Sequence, residues 1–305
     1  MDKVPEHVSA LFIAVNYRSS ESILEMVASV NRWSAKQNVG TVIVDNLPVP
    51  VGLERIRSVV QGLGNAEVLE SLENRGYFGA ARFALDHYLA HGRVLPNWVI
   101  VCNHDVVIEG REFFERLLRE DSDAVGVIAP RIQRQPSHSD QNPFMRNRPG
   151  RLRWAQLRLV GSNYALAIFW DWLWRRKSAL KSWFEAKYTE STSNNNAKRE
   201  FIYAPHGSLI IFSRRFFEAG GYLDKDLFLY GEEISVAEMC RSLSLPVIYE
   251  PTLCVLHNEH QSTGKALSRF TYECQKKAVQ YLTSRYFASH SRQSVKRMSL
   301  DRAER

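Results

Sequence analysis

Cysteine is scarce in this chain: four in 305 residues, at positions 102, 240, 254 and 274. None makes a C-x-x-C pair, so neither a disulfide framework nor a thiolate zinc site is indicated. A reducing, cytoplasmic setting is the simple expectation. Long apolar runs are missing too. No stretch reaches the roughly 18 uncharged apolar residues of a spanning helix. The opening Met1-Asp2-Lys3-Val4-Pro5-Glu6 lacks the basic and apolar regions of a secretory signal. No G-x-G-x-x-G follows the first apolar run, which argues against a dinucleotide oxidoreductase. The same place, Asn16-Tyr17-Arg18-Ser19-Ser20-Glu21-Ser22, holds no glycine at all. A sugar nucleotidyltransferase would want a glycine-rich loop there.

What is present suits a globular protein: 45% hydrophobic and 24% charged residues. The net charge of +7 is uneven. Between Arg131 and Lys187 stand 12 Lys/Arg against 3 Asp/Glu, so the remainder is slightly acidic. That basic segment also holds Trp154, Trp170, Trp172, Trp174 and Trp183. Two readings stay open: the core of an insertion, or an interfacial surface where aromatic rings sit at headgroup level and basic residues meet anionic lipid. A binding module for single-stranded nucleic acid is the rival from another class. It leaves the carboxylates elsewhere unexplained, so no nucleic acid is expected.

Apolar runs alternate with helical patterns through the first half. Strands are predicted at Val8–Val15, Val39–Val44, Glu67–Ser71, Trp98–Cys102 and Ala124–Ala129. Helices are predicted between them, including one opened by a capping box at Ser22 and Glu25. This is a β-α-β series with a mostly parallel sheet covered on both faces. In such sheets ligands bind beyond the carboxyl ends of the strands. Asn16, Asp45 with Asn46, and Asn103-His104-Asp105 all fall at those ends. After the insertion, strands are expected at Ser208–Phe212 and Pro246–Tyr249, and a last amphipathic helix over about 266–286. The tail after Ser289 reads as disordered.

Each candidate has a plain alternative. Asp105 is either a turn aspartate or a ligand for Mg²⁺ or Mn²⁺, which take oxygen donors and complete their shell with substrate phosphates. Asn16 and Asp45 are strand-end turn residues or readers of a nucleobase or ribose. Glu232 and Glu233 begin a helix, where negative charge is favourable. One of them is free to serve as a general base. His257 closes an apolar run and is either structural or near a phosphate or metal.

Taken in order, the motifs resemble glycosyltransferase family 2, the inverting GT-A enzymes, and within it rhamnosyltransferase-like bacterial members that build surface polysaccharides. The motifs are AVNYRSSES (14–22), VIVDN (42–46), ENRGYFGAA (73–81), VCNHDVVI (101–108), the segment 204–235 ending in GEEIS, and VIYEPTLCVLHNEHQST (247–263). The likeness spans 8–263, interrupted by the insertion. It implies one GT-A domain over 1–288. Within it, 8–132 would be the nucleotide-sugar half, 133–200 the basic aromatic insertion, 201–263 the acceptor side and 264–288 a closing helix. It implies that Asp105, with Asn103 nearby, serves the cation on the diphosphate and that His257 lies near the metal. Asp45 would read the base, with Asn16 beside it. Asn74 and Gly76 would belong to the turn that holds the donor, and Glu233 with Glu232 would form the catalytic acidic pair. Ser235 stands where many members have a further Asp, which leaves open which glutamate is the base. The donor expected is a UDP- or dTDP-sugar. The acceptor expected is a lipid-linked saccharide, met at the inner face of a membrane that residues 151–187 would touch.

Overall fold

The run Ala10-Leu11-Phe12-Ile13-Ala14-Val15-Asn16 is buried at all seven positions, as a strand covered on both faces must be. Its residues alternate in direction. Ala10, Phe12 and Ala14 join a core with Ile23, Met26, Val27, Ile56, Phe113 and Phe114 from the helices on one side. On the other side a helix beginning at Tyr77 packs over the sheet, with the Phe78 ring 6.2 Å from that of Phe212.

The computed structural model describes residues 4–34, 37–188 (backbone only over 177–188), 197–258 and 267–288. In chain order the first elements are β1 (Ala10–Asn16), α1 (Ser20–Ser34), β2 (Val39–Asn46), α2 (Pro50–Gln61), β3 (Ala66–Ser71), α3 (Tyr77–Ala90), β4 (Trp98–Asn103), β5 (Val106–Ile108), α4 (Glu112–Leu117) and β6 (Val127–Arg134). There follow β7 (Ser139–Asp140), α5 (Arg151–Ser162), α6 (Tyr164–Tyr188), β8 (Glu200–Phe201), β9 (Leu209–Ser213), α7 (Arg214–Glu218), α8 (Glu232–Ser242), β10 (Val247–His257), α9 (Arg269–Leu282) and a π-helical turn, Thr283–Phe287.

The sheet runs β3-β2-β1-β4-β9-β6-β10-β5, with β7 beside β6 and β8 beside β10. β3, β2, β1 and β4 are mutually parallel. β9 is antiparallel to both β4 and β6, and β10 is parallel to β6. Mixed α/β with a mostly parallel sheet is therefore the observed class.

Three local readings change. α1 starts at Ser20, so Ser22 and Glu25 lie inside the helix and form no capping box at its start. β10 is one strand of eleven residues with a register shift between Glu250 and Cys254. Pro251 has no N–H to give a ladder, and the bulge absorbs it, so the strand continues past the predicted stop. Val106–Ile108 is a strand in its own right, antiparallel to the end of β10.

The chain divides into two units, 1–148 with 199–260 and 149–198 with 261–305. In the first, the residues flanking the excursion are both clamped. Arg148 holds the buried Glu238 through two bonds of 2.6 and 3.0 Å. Arg199 spans Glu120, at 2.8 and 2.9 Å, and Glu250, at 3.0 Å. In the second, α5, α6 and α9 meet around aromatic rings. Trp154 stacks on Phe287 at 3.9 Å and donates its N–H to Thr283. Tyr272 donates to the Gly161 carbonyl. Along α6, Phe169, Trp172, Leu173 and Trp174 are exposed, and the Arg176 guanidinium lies 4.4 Å from the Trp172 ring. Among the described residues no helix is long and apolar enough to cross a membrane. The tail after Ser289 and the end of the His257–Thr263 motif lie outside the described residues.

Candidate active site

The carboxyl ends of β1 and β2 lie side by side, with Asn16 opposite Asp45 in register. Asn16 donates its amide to Asp45 Oδ1 at 2.9 Å, and both residues are buried. Burial raises the Asp45 carboxyl, and the Asn16 amide offsets only part of that. Asn16 Oδ1 is buried and makes no hydrogen bond among the described residues.

Next along β2, Asn46 organises the turn before α3. Its amide donates to Asn74 Oδ1 (2.9 Å) and to the Gly76 carbonyl (3.2 Å), and its oxygen accepts from the Arg75 N–H (2.9 Å). Asn74 Oδ1 also accepts from the Gly76 N–H. Asn74 thus shapes the turn with its oxygen. Gly76 has φ +70 and ψ −169, a conformation open essentially to glycine alone. The carbonyl of Phe228 passes where a Cβ would be, at 2.0 Å. That carbonyl accepts the Tyr77 N–H at 3.0 Å. The turn on the Asp45 side is thereby bound to the loop that leads to the acidic pair.

The short strand β5 explains how Asp105 and His257 meet. It pairs antiparallel with the end of β10, Val106 opposite His257. Asp105, one residue earlier, accepts the Asn258 N–H on its carbonyl. Its Oδ1 then lies 3.2 Å from His257 Nε2, at ion-pair distance. This oxygen is buried, and the His257 imidazole is the partner it faces. Burial pushes the Asp105 carboxyl up. The His257 imidazole, and then His104, outweigh it and leave the group below its ordinary value. The other ring nitrogen of His257 is 2.6 Å from Gln141 Oε1. Asn103 is half-buried at the end of β4, its N–H given to the Ser208 carbonyl.

No group of three or more His, Cys, Asp or Glu side chains among the described residues is arranged around a metal. Asp105 and His257 supply one hard oxygen and one imidazole nitrogen. That suits a divalent cation whose remaining shell comes from substrate phosphate and water. An imidazole whose far ring nitrogen is held by an oxygen, as His257 is by Gln141, is the usual support for such a ligand.

Glu232 and Glu233 open α8 behind Gly231, which has φ +89. Glu232 is 4% exposed, and its Oε1 makes no hydrogen bond among the described residues. Burial, then the charges of Glu233 and Asp224, push its carboxyl up to about 8. Glu233 is half-buried. Burial raises it too, while the N–H groups of the helix start, Gly207 and Gly231 bind its carboxylate and pull the other way. Gly207 leaves the space: a Cβ there would stand 2.6 Å from Glu233 Oε1. Ser235, where a further acid was conceivable, donates its hydroxyl to the buried Asp224 at 3.0 Å.

Sequence reasoning passed over Gln141, Gly207, Asp224 and Tyr77, although all but Gln141 stood inside motifs it singled out. The glycine of His206-Gly207-Ser208 just before a strand was a usable signal. Gln141, in a loop rich in Pro and Asn, had none.

No family model and no curated protein matches the chain in sequence. In structure it is similar to GalNAc-T7 solved with UDP, GalNAc and Mn²⁺: TM-score 0.56, 13% identity, 90% of this chain and 48% of that one. It is similar to TarS of S. aureus at TM-score 0.50 and 12% identity, over 82% of this chain and 37% of that one. The mannosyltransferase PcManGT from Pyrobaculum calidifontis, in complex with GDP-Man and Mn²⁺, matches at TM-score 0.47 and 15% identity, over 87% and 58%. The chain thus spans between 37% and 58% of the length of these proteins. With the sheet order and the flanking helices, the likenesses to GalNAc-T7 and TarS show that the chain has the GT-A glycosyltransferase fold.

Proposed function

We propose that the protein is an inverting glycosyltransferase that moves a sugar from a nucleoside diphosphate to a hydroxyl of a saccharide. One observation carries the reading. Asn16 and Glu232, at the carboxyl end of β1 and the start of α8, each keep a buried oxygen with no hydrogen bond among the described residues, and Asp105, just past β4, turns a buried carboxylate oxygen to His257 at 3.2 Å. Buried polar atoms are nearly always paired, so such a cluster is a site shaped for a polar ligand. The solved proteins of this fold include one crystallised with UDP, GalNAc and Mn²⁺.

In this reading Asp105 and His257 would hold a divalent cation, Mg²⁺ or Mn²⁺, whose charge neutralises the leaving diphosphate. Asp45, oriented by Asn16, accepts from the nucleobase or ribose. Glu233 is the base. It is the more accessible glutamate, and backbone N–H groups fix its carboxylate. It takes the proton of the acceptor hydroxyl as that oxygen bonds to the anomeric carbon. The bond from that carbon to the phosphate oxygen breaks, and its electron pair leaves with the diphosphate. Glu232 stays protonated near neutral pH, which spares Glu233 a second negative charge alongside. Positioning and electrostatics supply most of the rate.

The finer reading is a UDP- or dTDP-sugar donor and a lipid-linked acceptor in surface-polysaccharide synthesis. The exposed aromatic and basic side chains of α6 would meet the membrane that carries the acceptor. The test is a thermal-shift panel of UDP, dTDP, GDP and CDP, each with Mn²⁺ or EDTA, on wild type and Asp105→Asn. Metal-dependent stabilisation by one nucleotide, lost in the variant, is expected. No stabilisation of the wild type by any of them would sink the proposal.

A further inference from the structure

A second kind of buried polar atom lies in the same cleft. The hydroxyl of Tyr77 is shielded from solvent and makes no hydrogen bond among the described residues. Two other buried tyrosines find carboxylates: Tyr203 donates to Glu238 and Tyr249 to Asp140. The position of Tyr77 is rigid. It is the first residue of α3, its N–H is held by Phe228, and the Gly76 turn before it is closed by Asn46 and Asn74. The ionisable groups near enough to act on its hydroxyl are Cys102, Glu232, Glu233 and Asp105. Burial, with those charges added, holds its proton far more tightly than in an ordinary phenol, so it remains a donor throughout the working pH range.

We infer that the Tyr77 hydroxyl grips a hydroxyl of the transferred sugar. The inference rests on the glycosyltransferase reading, in which Asp105 faces the diphosphate and Glu233 faces the acceptor. The group between a diphosphate and an acceptor hydroxyl is the sugar itself. A neutral phenol that both donates and accepts, set among carboxylates, suits a ligand rich in hydroxyls better than a phosphate. Its fixed backbone makes it a discriminating contact, because a sugar with no hydroxyl at that place leaves the phenol unpaired.

The experiment compares Tyr77→Phe with Tyr88→Phe. Tyr88, on the same helix, also buries a hydroxyl with no hydrogen bond among the described residues, but beside Arg93 and Glu67. The probes are UDP, dTDP and GDP against UDP-glucose, UDP-N-acetylglucosamine, dTDP-rhamnose and GDP-mannose, with Mn²⁺, read by calorimetry. Ligand-free stability is read by hydrogen exchange. For Tyr77→Phe we expect unchanged nucleoside diphosphate affinity, nucleotide-sugar affinity about tenfold weaker, and ligand-free stability unchanged or higher, since a buried unpaired hydroxyl is removed. Tyr88→Phe should bind both ligand classes like wild type. Equal nucleotide-sugar affinity in Tyr77→Phe and wild type overturns the inference and leaves the transferase reading standing. So does a loss of stability, which would reveal a partner within the protein, or an equal loss for both ligand classes. Wild type that binds neither class overturns both readings.

Discussion

Replacing Gly76 with alanine tests how tightly the two sides of the cleft are joined. The added Cβ would lie 2.0 Å from the Phe228 carbonyl oxygen, 2.7 Å from its carbon and 2.8 Å from its Cα. All three are backbone atoms, so no rotamer change relieves the clash. The backbone conformation itself, φ +70 and ψ −169, costs a non-glycine residue about 1–3 kcal/mol. Pushing the carbonyl away also breaks the Tyr77 N–H bond, worth about 1 kcal/mol. With the remaining clash, a loss of about 3–5 kcal/mol is expected, at the upper end of single substitutions. Gly92 provides the control: φ is +74, but nothing lies within 4 Å of its Cβ position. There alanine should cost about 1 kcal/mol. Because the chain has two units, a global melt would mix them. Hydrogen exchange of the β1 and β4 amides reads the first unit by itself. At about 1.4 kcal/mol per tenfold, Gly76→Ala should lower their protection at least about a hundredfold, and Gly92→Ala about fivefold. A Gly76→Ala effect no larger than that of Gly92→Ala would refute the reasoning.

Glu232→Gln probes the acidic pair by pH. The folded protein holds a proton at Glu232 up to about 8, whereas the unfolded chain releases it near 4.5. Wild-type stability therefore contains a term that is full below 4.5 and lost as pH rises toward 8. Glutamine does not ionise, so the variant should gain on wild type across that window, by a few kcal/mol at most, and run parallel above it. Hydrogen-exchange stabilities of the β1 and β4 amides at pH 5, 6.5 and 8 that differ by a constant amount would contradict this. Gly207→Ala should move only the flexible end of Glu233. Stability should change by less than about 1 kcal/mol while kcat falls on the order of a hundredfold, and undiminished turnover would remove Glu233 as the base. For the membrane contact, the protein should float with vesicles containing anionic lipid and do so less when Trp172 or Phe169 becomes glutamate. Wild type left in the soluble fraction would argue against it.

Much of the architecture was legible because burial on both faces writes a strand as an unbroken apolar run. β1, β2 and β4 announced themselves in this way, and their polar ends marked the ligand edge. The encounter of Asp105 with His257 was implied by the family resemblance but not by local pattern. It depends on β5, three residues long, too short to show a period. The continuation of β10 past Pro251 was hidden for a similar reason, since a bulge looks in sequence like a stop. Asn74 and Gly76 were visible as a turn, but not the Phe228 carbonyl lying against it, because close approach of two backbones leaves no mark in the residues between. The pairing of Glu233 with Gly207 likewise joins segments that local pattern treats separately.

The two arginine clamps have a consequence for how such a chain varies. Arg148 and Arg199 tie both stems of the 149–198 excursion to carboxylates of the sheet unit. The anchor points are therefore set by the host, not by the guest. Changes of length or composition beyond them leave the strands' own pairing untouched, as at other sites that tolerate inserted domains. The sheet unit is thereby free to carry a different excursion without any change to its own strands.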